Sequence, residues 1–490
     1  NSKIKCLLFD CVLKLQERRR KRKKKRKDSL KMATEHNESE EENQYDNDYF
    51  EESTSLLRNS TNSQTIEHRE NSGISWYFAV FLIVNAALGA GLLNFAKAFH
   101  NAGGIYISTI FHLVLLIIIV GALVILAYCT DKKQSANFQD VVYGMCGKKW
   151  QTINSFCIIL YMFGCCITFF IIIGDQLDQI ISCLYGESSL SNWYFNRKFT
   201  ISLTSILFIL PLCYPRRIDF LTYPSTLAVI AIIYVVILIP IKYAKLNTEN
   251  VHVRTEPEHW MDIFTVLPVI CFGYQCHVNA VPIYACLKRK NLSEFSKSIF
   301  VSILIVFSAY TITATFGYMT FGDKIDDDLL KSYDSKDVSV LIAIIMYLIK
   351  TYTSYPLNLF CARTAIEGLW IEMKQLDSYS VQRFEKFRRV LIVTIWFFLS
   401  LFIALFIPNI TIVIHYLGAL AGTFMFIFPG LCLMFYALNK DNNVVESINN
   451  ESMSRRKQNL LLLIAIFYIT IGTFIIGLVV TQSFLSDINY

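Results

Sequence analysis

Two short stretches of this chain could free main-chain groups inside an apolar segment, and the first of them could bind a carboxylate. The first is Asn85-Ala86-Ala87-Leu88-Gly89-Ala90-Gly91, in the middle of an apolar segment of roughly residues 74–99. Each glycine costs about 1 kcal/mol relative to alanine in a helix, so a break is expected here. Inside a bilayer a break survives only where the freed N–H and C=O groups line a cavity or meet a ligand. The amides of Gly89, Ala90 and Gly91 then open a half-helix whose dipole favours an anion, and a free carboxylate fits. The other reading is a face of small residues for close helix packing.

The second stretch is Pro268-Val269-Ile270-Cys271-Phe272-Gly273-Tyr274-Gln275-Cys276-His277, followed by Pro282. A glycine flanked by polar residues and bracketed by prolines is hard to hold in a continuous helix. Tyr274 and Gln275 could read the polar end of an amide side chain. His277 could titrate between an acidic and a neutral compartment, or be a neutral, hydrogen-bonded core histidine. Asp175 and Asp178, at i and i+3, read as a proton or cation gate or as residues facing an outer vestibule. Lys350 is expected to snorkel to the surface, and Arg363 and Glu367, at i and i+4, to form a local ion pair.

The elements that hold these residues follow from composition. Of 490 residues, 54% are hydrophobic and 17% charged, and the mean hydropathy is +0.41. That balance excludes a soluble globular domain. Apolar runs long enough to cross a hydrocarbon core of about 30 Å recur along the chain. The fold class is an all-α polytopic membrane protein, with about eleven spans near 74–99, 104–129, 151–184, 197–213, 219–243, 260–286, 296–320, 338–372, 387–407, 411–437 and 459–482. Spans 1 and 6 are interrupted and occupy corresponding places in two five-span blocks that run in opposite directions. That pairing points to an inverted-repeat secondary transporter with its site at the midplane; two unrelated kinks are the alternative. The domain reading is a tail over 1–72, repeats over 73–243 and 244–437, and a linker with an eleventh span over 438–490.

Short loops set the orientation. With a cytosolic N-terminus, Lys132, Lys133, Lys148, Lys149, Lys288, Arg289, Lys290, Arg388 and Arg389 face the cytosol. The acidic loop of Asp323, Asp326, Asp327 and Asp328 faces the other side, as does the C-terminus. Much of the net charge of +7 lies in the basic block 18–27, which reads as a cytosolic tail touching anionic lipid rather than nucleic acid. Glu52, Leu56 and Leu57 match an acidic dileucine sorting signal, with sorting adaptors as the implied partners. Most of the 14 cysteines lie in apolar segments as packing residues.

The stretch Asn85-Ala-Ala-Leu-Gly-Ala-Gly-Leu-Leu-Asn-Phe95, with Ala102-Gly103-Gly104 after it, resembles the first-span signature of the amino acid/auxin permease group. Within that group the chain resembles the sodium-coupled neutral amino acid transporters. Leu126-Ala-Tyr-Cys129, Ile171-Ile-Ile-Gly-Asp-Gln176, Arg197-Lys-Phe-Thr-Ile-Ser-Leu-Thr204, Cys271-Phe-Gly-Tyr-Gln-Cys-His277 and Thr353-Ser-Tyr-Pro356 resemble the lysosomal glutamine and asparagine exporter branch. The resemblance runs from about residue 75 to the last span. It implies a leucine-transporter-like five-plus-five fold with an eleventh span. It also implies that the substrate carboxylate meets the amides of Gly89, Ala90 and Gly91, and that the substrate amino group meets carbonyls near Cys271, Phe272 and Gly273. Sodium would sit between Asn85 on span 1 and Thr353 or Ser354 on span 8; oxygen ligands of this kind suit a hard cation. Without the resemblance, those two hydroxyls could equally bond back to their own helix. The family often has proline where this chain has Ala96, followed by the unusual Lys97.

The expected function is cation-coupled transport of neutral amino acids, glutamine and asparagine favoured, from lysosome to cytosol. The coupling ion is sodium or a proton, no other cofactor is expected, and a plasma-membrane location is the alternative. A Walker pattern, zinc-ligand spacing and a nucleophile motif are all missing from the sequence, so no enzymatic activity is expected. An amino-acid sensor signalling through its tail is the rival reading, and an ion channel would need a continuous polar pore.

Overall fold

A computed structural model describes residues 74–186, 188–189, 192–215, 222–246, 251–375, 383–407, 409–438 and 455–488. The tail, with Glu52, Leu56 and Leu57, lies outside the described residues.

The first span is α1 (Trp76–Ala87), a 3-10 turn (Ala90–Leu93) and α2 (Phe95–Asn101). After it come α3 (Ile105–Lys133), the short α4 (Phe138–Cys146), and α5 (Lys148–Tyr185). The fourth span runs through α6 (Arg197–Thr204), a π turn (Ser205–Ile209) and α7 (Leu210–Cys213), and the fifth is α8 (Thr222–Lys245). The sixth consists of a 3-10 turn (Trp260–Thr265), α9 (Val266–Gly273) and α10 (His277–Ala285). Then follow α11 (Leu292–Phe321), α12 (Val338–Lys374), α13 (Glu385–Ala404), α14 (Ile410–Gly422), a π turn (Thr423–Ile427), α15 (Phe428–Leu438) and α16 (Arg455–Ile488).

Among the described residues, nine helical segments are long and apolar enough to cross a membrane. The broken first span and the 197–213 segment fall outside those nine and bring the count to the expected eleven. Both π turns lie just before a proline, Pro211 and Pro429. A proline ring removes one N–H and crowds the preceding turn, so the ladder widens there rather than ending.

Spans 1, 2, 6 and 7 pack together: α11 lies against α1, α2 and α3, and both halves of span 6 lie against span 1. The long α5 and α12 pack along each other, with α13 beside α5 and α8 beside α12. Span 10 joins the two groups, since α14 touches both α9 and α5. Gly418 makes the first of these contacts possible, because a Cβ there would lie 2.2 Å from the Pro268 carbonyl oxygen. Where the chain enters span 1 and leaves span 6, Ile74 and Leu287 form a β-bridge: Ile74 N–H donates to Cys286 O at 3.0 Å and Lys288 N–H to Ile74 O at 2.8 Å. Because span 1 starts and span 6 ends at this bridge, which is itself locally parallel, the two broken spans run in opposite directions and are tied at one end.

That end carries Lys132, Lys133, Lys148, Lys149 and Lys288 and is called the basic end here. The opposite, acidic end is built on the 322–337 loop. Asp337 binds Lys242 and the Ser339 hydroxyl there, which clamps α8 to α12, and the Lys242 hydrogen bond holds the Asp337 carboxyl below its usual range. Ala96 is accommodated in a continuous α2, buried against the α11 backbone at Gly317. Lys97 reaches across to donate to Ile325 O at 2.9 Å.

Candidate functional site

The first break follows directly from its glycines. α1 ends at Ala87, Gly89 turns to an extended conformation (φ −111°, ψ −152°), and a 3-10 turn begins at Ala90. The amides of Ala90 and Gly91 open that turn and have no acceptor within it. In span 6, α9 ends at Gly273, the residues Tyr274, Gln275 and Cys276 leave the helix, and α10 restarts at His277. The expected interruptions thus fall in the expected stretches.

What the sequence could not show is that the two breaks lie on each other. A Cβ on Gly91 would stand 3.2 Å from Gly273 Cα and 3.4 Å from the Phe272 ring. Gly91 therefore lies against Phe272 and Gly273, with Ala90 and Cys271 buried beside them and Gly89 half-buried. Tyr274 is fully buried, and its hydroxyl lies 2.7 Å from His112 Nε2 on α3. Gln275 is buried, and neither amide atom has a hydrogen-bond partner in the protein. A buried polar group without a partner is costly. His277 is fully buried one residue beyond the break.

Three side chains that sequence reasoning passed over complete the site. Tyr310, in the middle of α11, donates its hydroxyl to Ala87 O at 2.8 Å and to Gly273 O at 3.0 Å. Tyr347, on α12, donates to Gly89 O at 3.0 Å. His112 orients Tyr274. His112 and Tyr347 lie in apolar stretches and Tyr310 among Ser308, Thr311 and Thr313; the bonds to Tyr274, Ala87 and Gly89 span 162 to 258 residues in sequence, and that from Tyr310 to Gly273 spans 37. Only the polarity inside a span marked these residues, and it marked many others equally.

Lys350 does not snorkel. It is 5% exposed, donates to Tyr347 Oη at 3.2 Å and lies 4.3 Å from the centre of the Tyr347 ring. A lysine side chain folds back over the preceding turn of its helix, and here that turn presents a phenol. The Arg363 guanidinium lies over the Phe360 ring at 4.7 Å, and the Glu367 carboxylate is the strongest opposite charge acting on it, without a salt bridge within 4 Å among the described residues.

Asn85 is half-buried on the last turn of α1. Thr353 and Ser354 donate their hydroxyls to Lys350 O, both at 2.9 Å, so each bonds back to its own helix in this conformation. No hydrogen bond joins Asn85 to either of them.

Asp175 lies toward the acidic end, in a polar cluster. Arg197 Nη1 donates to Asp175 Oδ1 at 2.9 Å and to Asp178 Oδ2 at 2.8 Å, and Nη2 donates to Ile171 O at 3.0 Å. Lys331 Nζ stands 3.7 Å from Asp175. Below them Gln176 Nε2 donates to Asp328 Oδ2 at 2.7 Å. Burial, with the nearby Asp175 charge next, pushes the Asp328 carboxyl up to about 7. The neighbouring loop binds span 1 directly, because Asn94 Nδ2 donates to Asp327 O at 2.9 Å. The acidic loop thus caps the half-helix that follows the first break.

The model of the transmembrane amino acid transporter protein family matches residues 72–476. Sodium-coupled neutral amino acid transporter 7 of Danio rerio is 40% identical over 421 residues, covering 85% of this chain and 88% of that protein. The Homo sapiens transporter of the same name is 39% identical over 414 residues, covering 84% and 88%. Solute carrier family 38 member 8 of Homo sapiens is 34% identical over 366 residues, covering 73% and 84%. Among solved structures, MhsT in complex with L-phenylalanine superposes with a TM-score of 0.51 at 12% identity, covering 81% of this chain and 98% of that one. That likeness shows the fold.

Proposed function

The chain belongs to the transmembrane amino acid transporter protein family, and from that premise we propose that it moves glutamine and asparagine by cation-coupled alternating access. It is a transporter and not an enzyme. The observation that carries the proposal is the contact between the two breaks, with Gly91 against Gly273 and bare main chain from opposed helices on either side.

In this reading the Ala90 and Gly91 amides take the substrate carboxylate, while the Gly89 N–H is held by Ala87 O. The carbonyls around Cys271, Phe272 and Gly273 take the ammonium group. Gln275, whose amide has no partner in the protein, and Tyr274, already oriented by His112, face the side chain, and an amide there matches Gln275 donor for acceptor. Sodium is the coupling ion, supported by the names of the relatives. Asn85, Thr353 and Ser354 are its proposed ligands, and the two hydroxyls must then turn from Lys350 O toward the ion. His277 and Asp175 are the candidate proton-linked groups if a proton drives transport instead. The proposed orientation puts the basic end in the cytosol and the acidic end in the lysosomal lumen, with Glu52, Leu56 and Leu57 reaching sorting adaptors.

Purified protein in liposomes, loaded with labelled glutamine and given sodium and pH gradients separately, tests this. Glutamine flux driven by one gradient is the expected result; flux indifferent to both removes the coupling. Binding without turnover would leave the sensor reading in its place.

A further inference from the structure

We infer that Tyr310 is a positioning residue that stands in for the substrate's ammonium group while the site is empty. The inference rests on reading the two breaks as the zwitterion site. Tyr310 is fully buried, and its one hydroxyl reaches both breaks, 2.8 Å from Ala87 O and 3.0 Å from Gly273 O. A phenol has a single proton to donate, so one donor serves two carbonyls that belong to opposed helices. Without it, Gly273 O would have no donor and Ala87 O would keep only the Gly89 N–H at 2.9 Å. An ammonium group brings three N–H donors and can serve both fully.

The ring is held in place. Phe95 stacks on it with centroids 4.0 Å apart and planes 12° apart, and Tyr274 packs at 5.4 Å. The ring is therefore held beside the breaks, which in the empty site close on its hydroxyl with Gly91 against Gly273. Tyr347 donates to Gly89 O and itself accepts from Lys350, so it touches the first break alone.

The consequence concerns the empty carrier. Net transport requires the unloaded protein to change sides, whereas exchange of internal for external substrate does not. Removing the hydroxyl takes away the bridge that joins the closed, empty breaks and strips Gly273 O of its donor only when substrate is absent. It should therefore favour the loaded state and slow the unloaded return.

The experiment compares wild-type protein and Tyr310→Phe in liposomes, in exchange and in net efflux. For Tyr310→Phe the half-saturating glutamine concentration in exchange should fall about tenfold, and net efflux should fall about tenfold relative to exchange. A parallel loss of both modes, or a rise in half-saturation, overturns the inference and marks Tyr310 as packing only. If wild-type protein transports in neither mode, the functional reading fails first and this inference falls with it. Should Tyr310→Phe not accumulate as folded protein, Phe95→Leu decides: it loosens the hydroxyl without removing a hydrogen bond. The same skew toward exchange, at smaller size, is expected there, and parallel loss again overturns the inference.

Discussion

The two breaks differ in what they expose. The first is main chain: Gly89, Ala90 and Gly91 bring no polar side chain, and tyrosines from spans 7 and 8 cap the carbonyls of Ala87 and Gly89. The second brings side chains: Tyr274 bonded to His112, the unpartnered amide of Gln275, and the buried His277. In the proposed reading this split separates two tasks. The backbone break can grip what every amino acid shares, while the side-chain break can tell one amino acid from another.

Breaking the first half should cost most. Gly91→Val drives a branched side chain into the Gly273 backbone, and overpacking of this kind costs about 1–3 kcal/mol. Glutamine binding in the proteoliposome assay should weaken about ten- to a hundredfold, with insertion into the membrane retained. Gly89→Ala is the control that sharpens the point. A Cβ there meets nothing within 4 Å, so flux should stay within about threefold of wild type. Equal damage from both changes would show that helix breaking in general, rather than the Gly91–Gly273 contact, sets the site.

The next effect concerns the proposed cation site beside the first break. Thr353→Ala and Ser354→Ala should each raise the sodium concentration for half-maximal flux, the true ligand by about tenfold and the other by less. Unchanged sodium dependence in both would leave the hydroxyls as helix-bonding groups only.

At the second break the bond between His112 and Tyr274 can be apportioned. His112→Leu strands a buried phenol and should lower thermal stability by about 1–2 kcal/mol. Adding Tyr274→Phe should recover part of that loss, because no unpaired polar atom then remains. Strict additivity in the thermal melts would mean that the pair does not act as a unit.

The smallest effect tests the loop that caps the first half. The folded protein holds the Asp328 carboxyl near 7 against an ordinary 3.8. Folding therefore favours its protonated form, and stability contributed by that form is lost as pH rises through the folded value. The melting temperature should rise modestly as pH falls from 8 to 5, and Asp328→Asn should flatten the trend.

Much of this was legible in the chain itself. Eleven apolar segments, the paired interruptions, the positions of both breaks and the resemblance of span 1 to a transporter signature all come from local composition and spacing. Helix propensity and the length of a bilayer crossing act within one segment, so one segment suffices to read them. Lys350 shows where that ends. Its sequence context resembles that of any lysine near a membrane surface, and only the placement of Tyr347 one turn back, against Gly89, makes burial tolerable. Tertiary structure alone decided that Tyr310 joins two opposed helices, that Thr353 and Ser354 turn back on their own helix, and that Arg197 pairs with Asp175 and Asp178. Each of these is a choice of partner among buried polar groups. That choice depends on distances between segments far apart in sequence, which no local pattern encodes.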